Sequence, residues 1–129
     1  MPPRKRVYYS HPIIFYFKPI EKKALEIIKS KFKNIKIVNP RDFPFLGMEN
    51  YCDIVKECDI LVAQPLSEKV FSCGVFDEIN TALKSNVPVF CLDINTEKIF
   101  RIDSLYGFKC LNREETIRAF HNSKLSAEK

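Results

Sequence analysis

Apolar positions along the chain switch between an extended and a helical period. Residues 6–10, Arg-Val-Tyr-Tyr-Ser, predict a short strand that His11-Pro12 ends. Pro19 suits a first helical turn, and Ile20, Ala24, Ile27, Ile28 and Phe32 then fall on one helical face. Residues 34–38 read as a second strand, stopped by Asn39-Pro40. After a loop through Phe43, Pro44, Phe45 and Gly47, the spacing of Tyr51, Ile54, Val55 and Cys58 gives a second helix. Asp59-Ile60-Leu61-Val62-Ala63 is a near-continuous apolar run, the pattern of a strand covered on both faces. A loop over 64–73 leads to a helix opened by Gly74, with Val75, Ile79, Ala82 and Leu83 on one face and Asn86 at its end. Residues 87–92 are a fourth strand, and a fifth is expected near 108–111. Asn112 followed by Arg113-Glu114-Glu115 is a helix start, with Ile117 and Phe120 expected to face inward.

This alternation predicts the α/β class, as one flavodoxin-like three-layer domain over 1–129. Its parallel sheet of four to five strands is expected in the order 2-1-3-4-5, with the fifth strand beside the fourth. Residues 1–6 read as a basic tail and 123–129 as a frayed end. Ligands of such open sheets bind beyond the carboxyl ends of the strands. That rule singles out the loops 10–17, 39–47 and 64–74.

Composition changes this picture little. With 129 residues, 46% of them hydrophobic, the chain can bury a core, and no apolar run approaches the ~18 residues of a membrane span. The net charge of +5 suggests an anionic partner only weakly, because the lysines scatter over helix surfaces and no nucleic-acid-binding motif accompanies them. The cysteines at 52, 58, 73, 91 and 110 are odd in number, contain no C-x-x-C pair and are joined by only two histidines. These residues make no metal site and imply no cofactor. No leader pattern precedes Val7, so a cytoplasmic protein with reduced thiols is expected, Cys91 and Cys110 filling strands.

The third loop carries the most chemistry. Ser72 and Gly74 stand at a helix start, where free N–H groups and the helix dipole favour an anion, and glycine permits close approach of a ligand. Alternatively, Ser72 simply caps the helix and Asp77 and Glu78 complement its dipole. His11, at the end of the first strand, is a candidate to bind phosphate or donate a proton, or else a packing residue. Asp59 stands at the amino end of its strand and suits a structural role. Phe15, Tyr16, Phe43 and Phe45 are candidate walls for a flat ring, or core.

From about Val7 to Leu92 the chain resembles the nucleoside 2-deoxyribosyltransferase-like superfamily. The resemblance lies in Val7-Tyr8-Tyr9-Ser10, in Cys58-Asp59-Ile60-Leu61-Val62-Ala63, and in Ser72-x-Gly74-Val75-x-x-Glu78-Ile79-x-x-Ala82 followed by Asn86-Val87-Pro88-Val89. It implies that Glu78 is a nucleophile supported by Tyr8. Transferases of the superfamily carry an acid six positions before that Glu, where this chain has Ser72. Its 2′-deoxynucleoside 5′-monophosphate N-glycosidases carry Ser-x-Gly-Val-x-x-Glu, which Ser72, Gly74, Val75 and Glu78 match, and their serine contacts the phosphate. The chain departs from both branches in having His11-Pro12 in place of glycines, a longer loop before Ser72, and Asp77 in place of an apolar residue. The resemblance thus implies a homodimeric N-glycosidase acting on a small nucleotide or nucleoside. Its site would be Glu78 and Tyr8 as catalytic residues, with Ser10, His11, Ser72 and Gly74 binding substrate. The alternatives are a non-catalytic nucleotide-binding sensor module and a deoxyribosyltransferase.

Overall fold

The structure is a computed structural model and describes residues 4–44 and 46–127. Its elements follow in the order β1 (Lys5–Ser10), α1 (Pro19–Lys31), β2 (Ile35–Val38), α2 (Met48–Lys56), β3 (Ile60–Ala63), β4 (Val70–Phe71), α3 (Cys73–Lys84), β5 (Val89–Asp93), β6 (Lys98–Ile102), β7 (Lys109–Cys110) and α4 (Arg113–Ala127). Short 3₁₀ turns cover Ile13–Phe15 and Pro40–Asp42.

The main sheet runs β2-β1-β3-β5-β6. β1 pairs in parallel with β2 and β3, and β3 with β5, so the expected α/β class and the central strand order hold. Two expectations about the fifth strand do not. The edge strand is β6, which returns antiparallel from β5 with Asp93 opposite Lys98, so the sheet is mixed. The turn is built by the Asp93 carboxylate, which accepts from the amides of Asn95 (2.9 Å) and Thr96 (3.4 Å), and by Glu97 at φ +57°. The segment near 108–111 instead forms β7, which pairs in parallel with β4 in a separate two-stranded sheet.

Side-chain alternation divides the core in two. Val7, Tyr9, Val62 and Leu92 face one side, under Ala24 and Ile28 of α1. Tyr8, Leu61, Ala63 and Cys91 face the other, under Val55 of α2 and Val75, Ile79 and Ala82 of α3. Asn86 ends α3 in the left-handed region at φ +60°, with the Val87 amide reaching back to Ala82 O at 2.9 Å. Asn112 and Glu115 close a reciprocal capping box at the start of α4. Ile117 is 58% exposed rather than inward, because among its described residues α4 buries Thr116, one helical step earlier. The expected basic tail is shorter, since Lys5 and Arg6 belong to β1, and the helix backbone continues past Ser123 to Ala127. Met1–Pro3, Phe45, Glu128 and Lys129 lie outside the described residues. No described helix is long and apolar enough to cross a membrane.

Candidate active site

The end of β1 sends consecutive side chains to opposite sides of the sheet. Tyr8 and Ser10 point toward α3, whose inner face carries Glu78 one position before Ile79. All three are buried. The Tyr8 hydroxyl donates to Glu78 Oε2, and Ser10 Oγ donates to Oε1 at 2.7 Å, so each carboxylate oxygen has one neutral donor. Burial pushes the Glu78 carboxyl up from its ordinary value to about 7. The two hydroxyls pull against this shift, and the Asp77 charge adds to it. Burial, with the Glu78 charge, raises the Tyr8 phenol far above its usual range, so Tyr8 stays a proton-bearing donor. The Tyr16 phenol is raised by burial and then by the charge of Glu78. Tyr51 donates to Phe43 O at 3.1 Å and accepts from the Leu46 amide at 3.3 Å, pinning the loop after β2 to α2. Phe43 packs on the same core cluster as Tyr8.

The structure does not bring His11 to this group. His11 lies on the α1 side with Tyr9, its ring stacked on the Tyr9 ring at 3.7 Å. Nδ1 lies 3.0 Å from Tyr9 O, and Nε2 lies 2.7 Å from Glu21 Oε2. Burial lowers the His11 imidazole from its ordinary value, against the pull of Glu21 and of the Tyr9 carbonyl. Glu21 Oε1 also accepts from the Phe17 amide at 3.1 Å and from the Arg41 guanidinium. Burial alone would raise Glu21, but donors from His11, Phe17 and Arg41 hold it below its ordinary value. On the same side the Tyr9 hydroxyl donates to Gln64 Oε1, while Gln64 Nε2 is buried without a partner among the described residues.

Ser72 occupies the N-cap position of α3 and is 2% exposed, yet its side chain makes no capping bond. Thr116 Oγ1 from α4 accepts the first amide, that of Cys73, at 2.9 Å. A Cβ placed on Gly74 would meet only Met48 Sδ, at 3.9 Å, so packing does not require glycine there. Gly74 lines a cleft of about 580 Å³ with Cys73, Asp77, Asn112 and Arg113. Two larger clefts lie elsewhere. One of about 770 Å³ is bordered by Gln64, Leu66, Ile94 and Phe108, and one of about 730 Å³ by Lys23, Ile27, Glu97 and Phe100. None of the three is lined by Tyr8, Ser10 or Glu78. Asp59 stays at the amino end of β3, where its carboxylate accepts from the Arg6 amide at 2.8 Å. All five cysteines are free thiols, Cys91 buried in β5 and Cys110 half-buried in β7.

Sequence reading missed Glu21, Arg41 and Gln64. The signal was partly present: the two-residue period of β1 puts His11 opposite Tyr8 and Ser10, and an imidazole buried under a helix needs a partner on that helix.

No family model matches the chain, and no curated protein matches its sequence. A crystal structure of a conserved protein from Enterococcus faecalis V583 matches in three dimensions, with a TM-score of 0.55 and 18% identity. The match covers 93% of this chain and 99% of that one. The likeness is one of fold.

Proposed function

We propose that the chain is an N-glycosidase that cleaves the base–sugar bond of a 2′-deoxynucleoside 5′-monophosphate, with Glu78 as nucleophile. The observation that carries this reading is the Glu78 carboxylate, buried at the end of β1 and held by two neutral hydroxyls. Cleavage of an N-glycosidic bond passes through an oxocarbenium-like state that a carboxylate under C1′ stabilises and then captures. The C1′–N bond breaks and the base leaves with its electron pair, taking a proton from solvent. An ester forms between C1′ and Glu78, and water then hydrolyses it. Tyr8 and Ser10 fix the carboxylate in one rotamer while leaving its charge uncompensated, which favours attack. The phosphate is assigned to Ser72 and the amides near Gly74, where Gly74 and Val75 have no protein acceptor among the described residues. The resemblance to a homodimeric superfamily supports a homodimer, and the free cysteines support a cytoplasmic location.

The test follows base release from each deoxynucleoside monophosphate by chromatography, with and without an acceptor base. Release that disappears in Glu78→Ala supports the reading. Base exchange with little hydrolysis moves the protein to the transferase reading. A second reading, a nucleotide-binding module without turnover, is favoured by the absence of Glu78 from the three clefts. Measurable binding of a monophosphate with no release from any substrate would select it.

A further inference from the structure

One buried carboxylate, on the side of the sheet opposite Glu78, ties together the segments that leave β1 and β2. Glu21 in the first turn of α1 has a side chain only 1% exposed. It receives donors from three separate segments: His11 just past β1, the Phe17 amide in the loop that follows, and Arg41 in the 3₁₀ turn after β2. Phe17 holds a left-handed φ of +61°, which a phenylalanine does not prefer, and its ring is 77% exposed. Two contacts keep it there: its amide on Glu21, and the Arg41 guanidinium 5.0 Å from its ring centre. Arg41 is fixed in turn by Asp42, at 3.4 Å, while its own amide donates to Asn39 Oδ1 at 3.1 Å.

This network meets the Glu78 group through the chain itself: His11 directly follows Ser10, whose hydroxyl donates to Glu78, and Tyr16 lies against His11. Its ring leans on the His11 ring at 4.9 Å between centroids, and it precedes Phe17 in the chain. On the second loop, Phe43 follows Arg41 by two residues and packs on the cluster that contains Tyr8. Fixing Glu21, His11 and Arg41 therefore fixes the two segments that carry Tyr16 and Phe43.

We propose that Arg41, Glu21 and His11 form a clasp that holds the loops 11–17 and 39–43 over the Glu78 carboxylate and sets how readily a ligand reaches it. They are positioning residues: they act on the site through Tyr16 and Phe43 and touch no reacting atom. The proposal deepens the assignment of Glu78 as the reacting group and rests on it for its functional meaning. The clasp itself can be read without any substrate.

The test compares the full chain with Arg41→Gln and Arg41→Lys. Arg41 is the member to change, because its side chain is 28% exposed while those of His11 and Glu21 are buried. A water-soluble carbodiimide with a small amine labels Glu78 at pH 6, and peptide mass spectrometry gives the rate. Labelling in Arg41→Gln should rise about two- to fivefold, the size expected for a partly exposed ion pair. Exchange of the Phe17 and Lys18 amides should quicken with it, while the Leu61 and Val62 amides of β3 keep their protection. Arg41→Lys should restore part of the slow labelling. Unchanged Glu78 labelling in Arg41→Gln would overturn the clasp, as would a rise matched by lost protection across β3. If labelling changes as stated and the wild type releases no base, the clasp stands and the glycosidase reading fails. If base is released and labelling does not change, the reverse holds.

Discussion

Glu21 and Glu78 are both buried carboxylates, one on each side of the sheet at the end of β1, and their surroundings drive them in opposite directions. Glu21 is met by a guanidinium, an imidazole and an amide, and its carboxyl falls below the ordinary value. Glu78 is met by two hydroxyls and, among the described residues, by no cation, and its carboxyl rises to about 7. Both side chains are buried, but burial weighs more on Glu78, and Glu21 has three hydrogen-bond donors where Glu78 has two. A carboxylate tied to three separate segments, one of them through a guanidinium, is a structural joint. A carboxylate satisfied only by neutral hydroxyls keeps its charge available for chemistry.

The sharpest way to break this comparison is to neutralise each acid in turn. Glu78→Gln should lower base release by about 10⁴-fold or more, the scale seen when a reacting group is removed. The hydroxyls of Tyr8 and Ser10 can still pair with the amide, so the fold should survive. Glu21→Gln should instead cost stability, about 3 kcal/mol in urea unfolding, because it strands the Arg41 and His11 donors. Equal losses of activity and stability in both variants would mean that the two acids do not differ in kind.

The pH dependence should also diverge. The carboxyl of Glu78 is raised on folding, so its contribution to stability is complete below its ordinary value of 4.5 and is lost as pH rises through about 7. Glu78→Gln should therefore be more stable than wild type at pH 8, by on the order of 3 kcal/mol, with the gain vanishing near pH 4. Glu21 is lowered on folding, so its contribution is present above 4.5 and is lost as pH falls through its folded value. Glu21→Gln should thus differ most from wild type at neutral pH and converge with it in acid. The rate should follow ionised Glu78, with kcat/KM rising through about pH 7 to a plateau.

Tyr8→Phe removes one of the two donors. A hydrogen bond to a charged group is worth roughly 1.5–3 kcal/mol, so turnover should fall about ten- to a hundredfold. Since Tyr8 pulls the Glu78 carboxyl down, the pH midpoint should move upward as well. The smallest expected effect lies at Ser72. Ser72→Ala should lower turnover of a monophosphate by about tenfold and leave the nucleoside nearly unaffected, as loss of one phosphate contact would. Equal rates on nucleoside and monophosphate in wild type would take Ser72 out of the phosphate role.

How much of this was legible in the sequence depends on the distance a signal must travel. β1, β3 and the inner face of α3 announce themselves through local period, and that period alone puts Glu78 beside the core. The contact of Tyr8 with Glu78 spans 70 residues and came into view through resemblance rather than through pattern. Glu21 sits where an acid ordinarily complements a helix dipole in solvent, and its burial depends on His11 and Arg41 arriving from other segments. The edge strand β6 is half solvated, so Lys-Ile-Phe-Arg-Ile gives only a faint alternation. The pairing of β4 with β7 joins two-residue strands far apart in the chain, too short for any period to show.

The hydroxyl of Thr116 has a consequence for how the molecule is made. The five strands of the main sheet are all present in the chain by Ile102, but the amide that begins α3 receives its acceptor only from α4. On a ribosome, the sheet can therefore assemble before the helix that carries Glu78 has its first turn fastened. A chain stopped at residue 112 would keep every strand of that sheet while its Cys73 amide waited for a partner that was never synthesised.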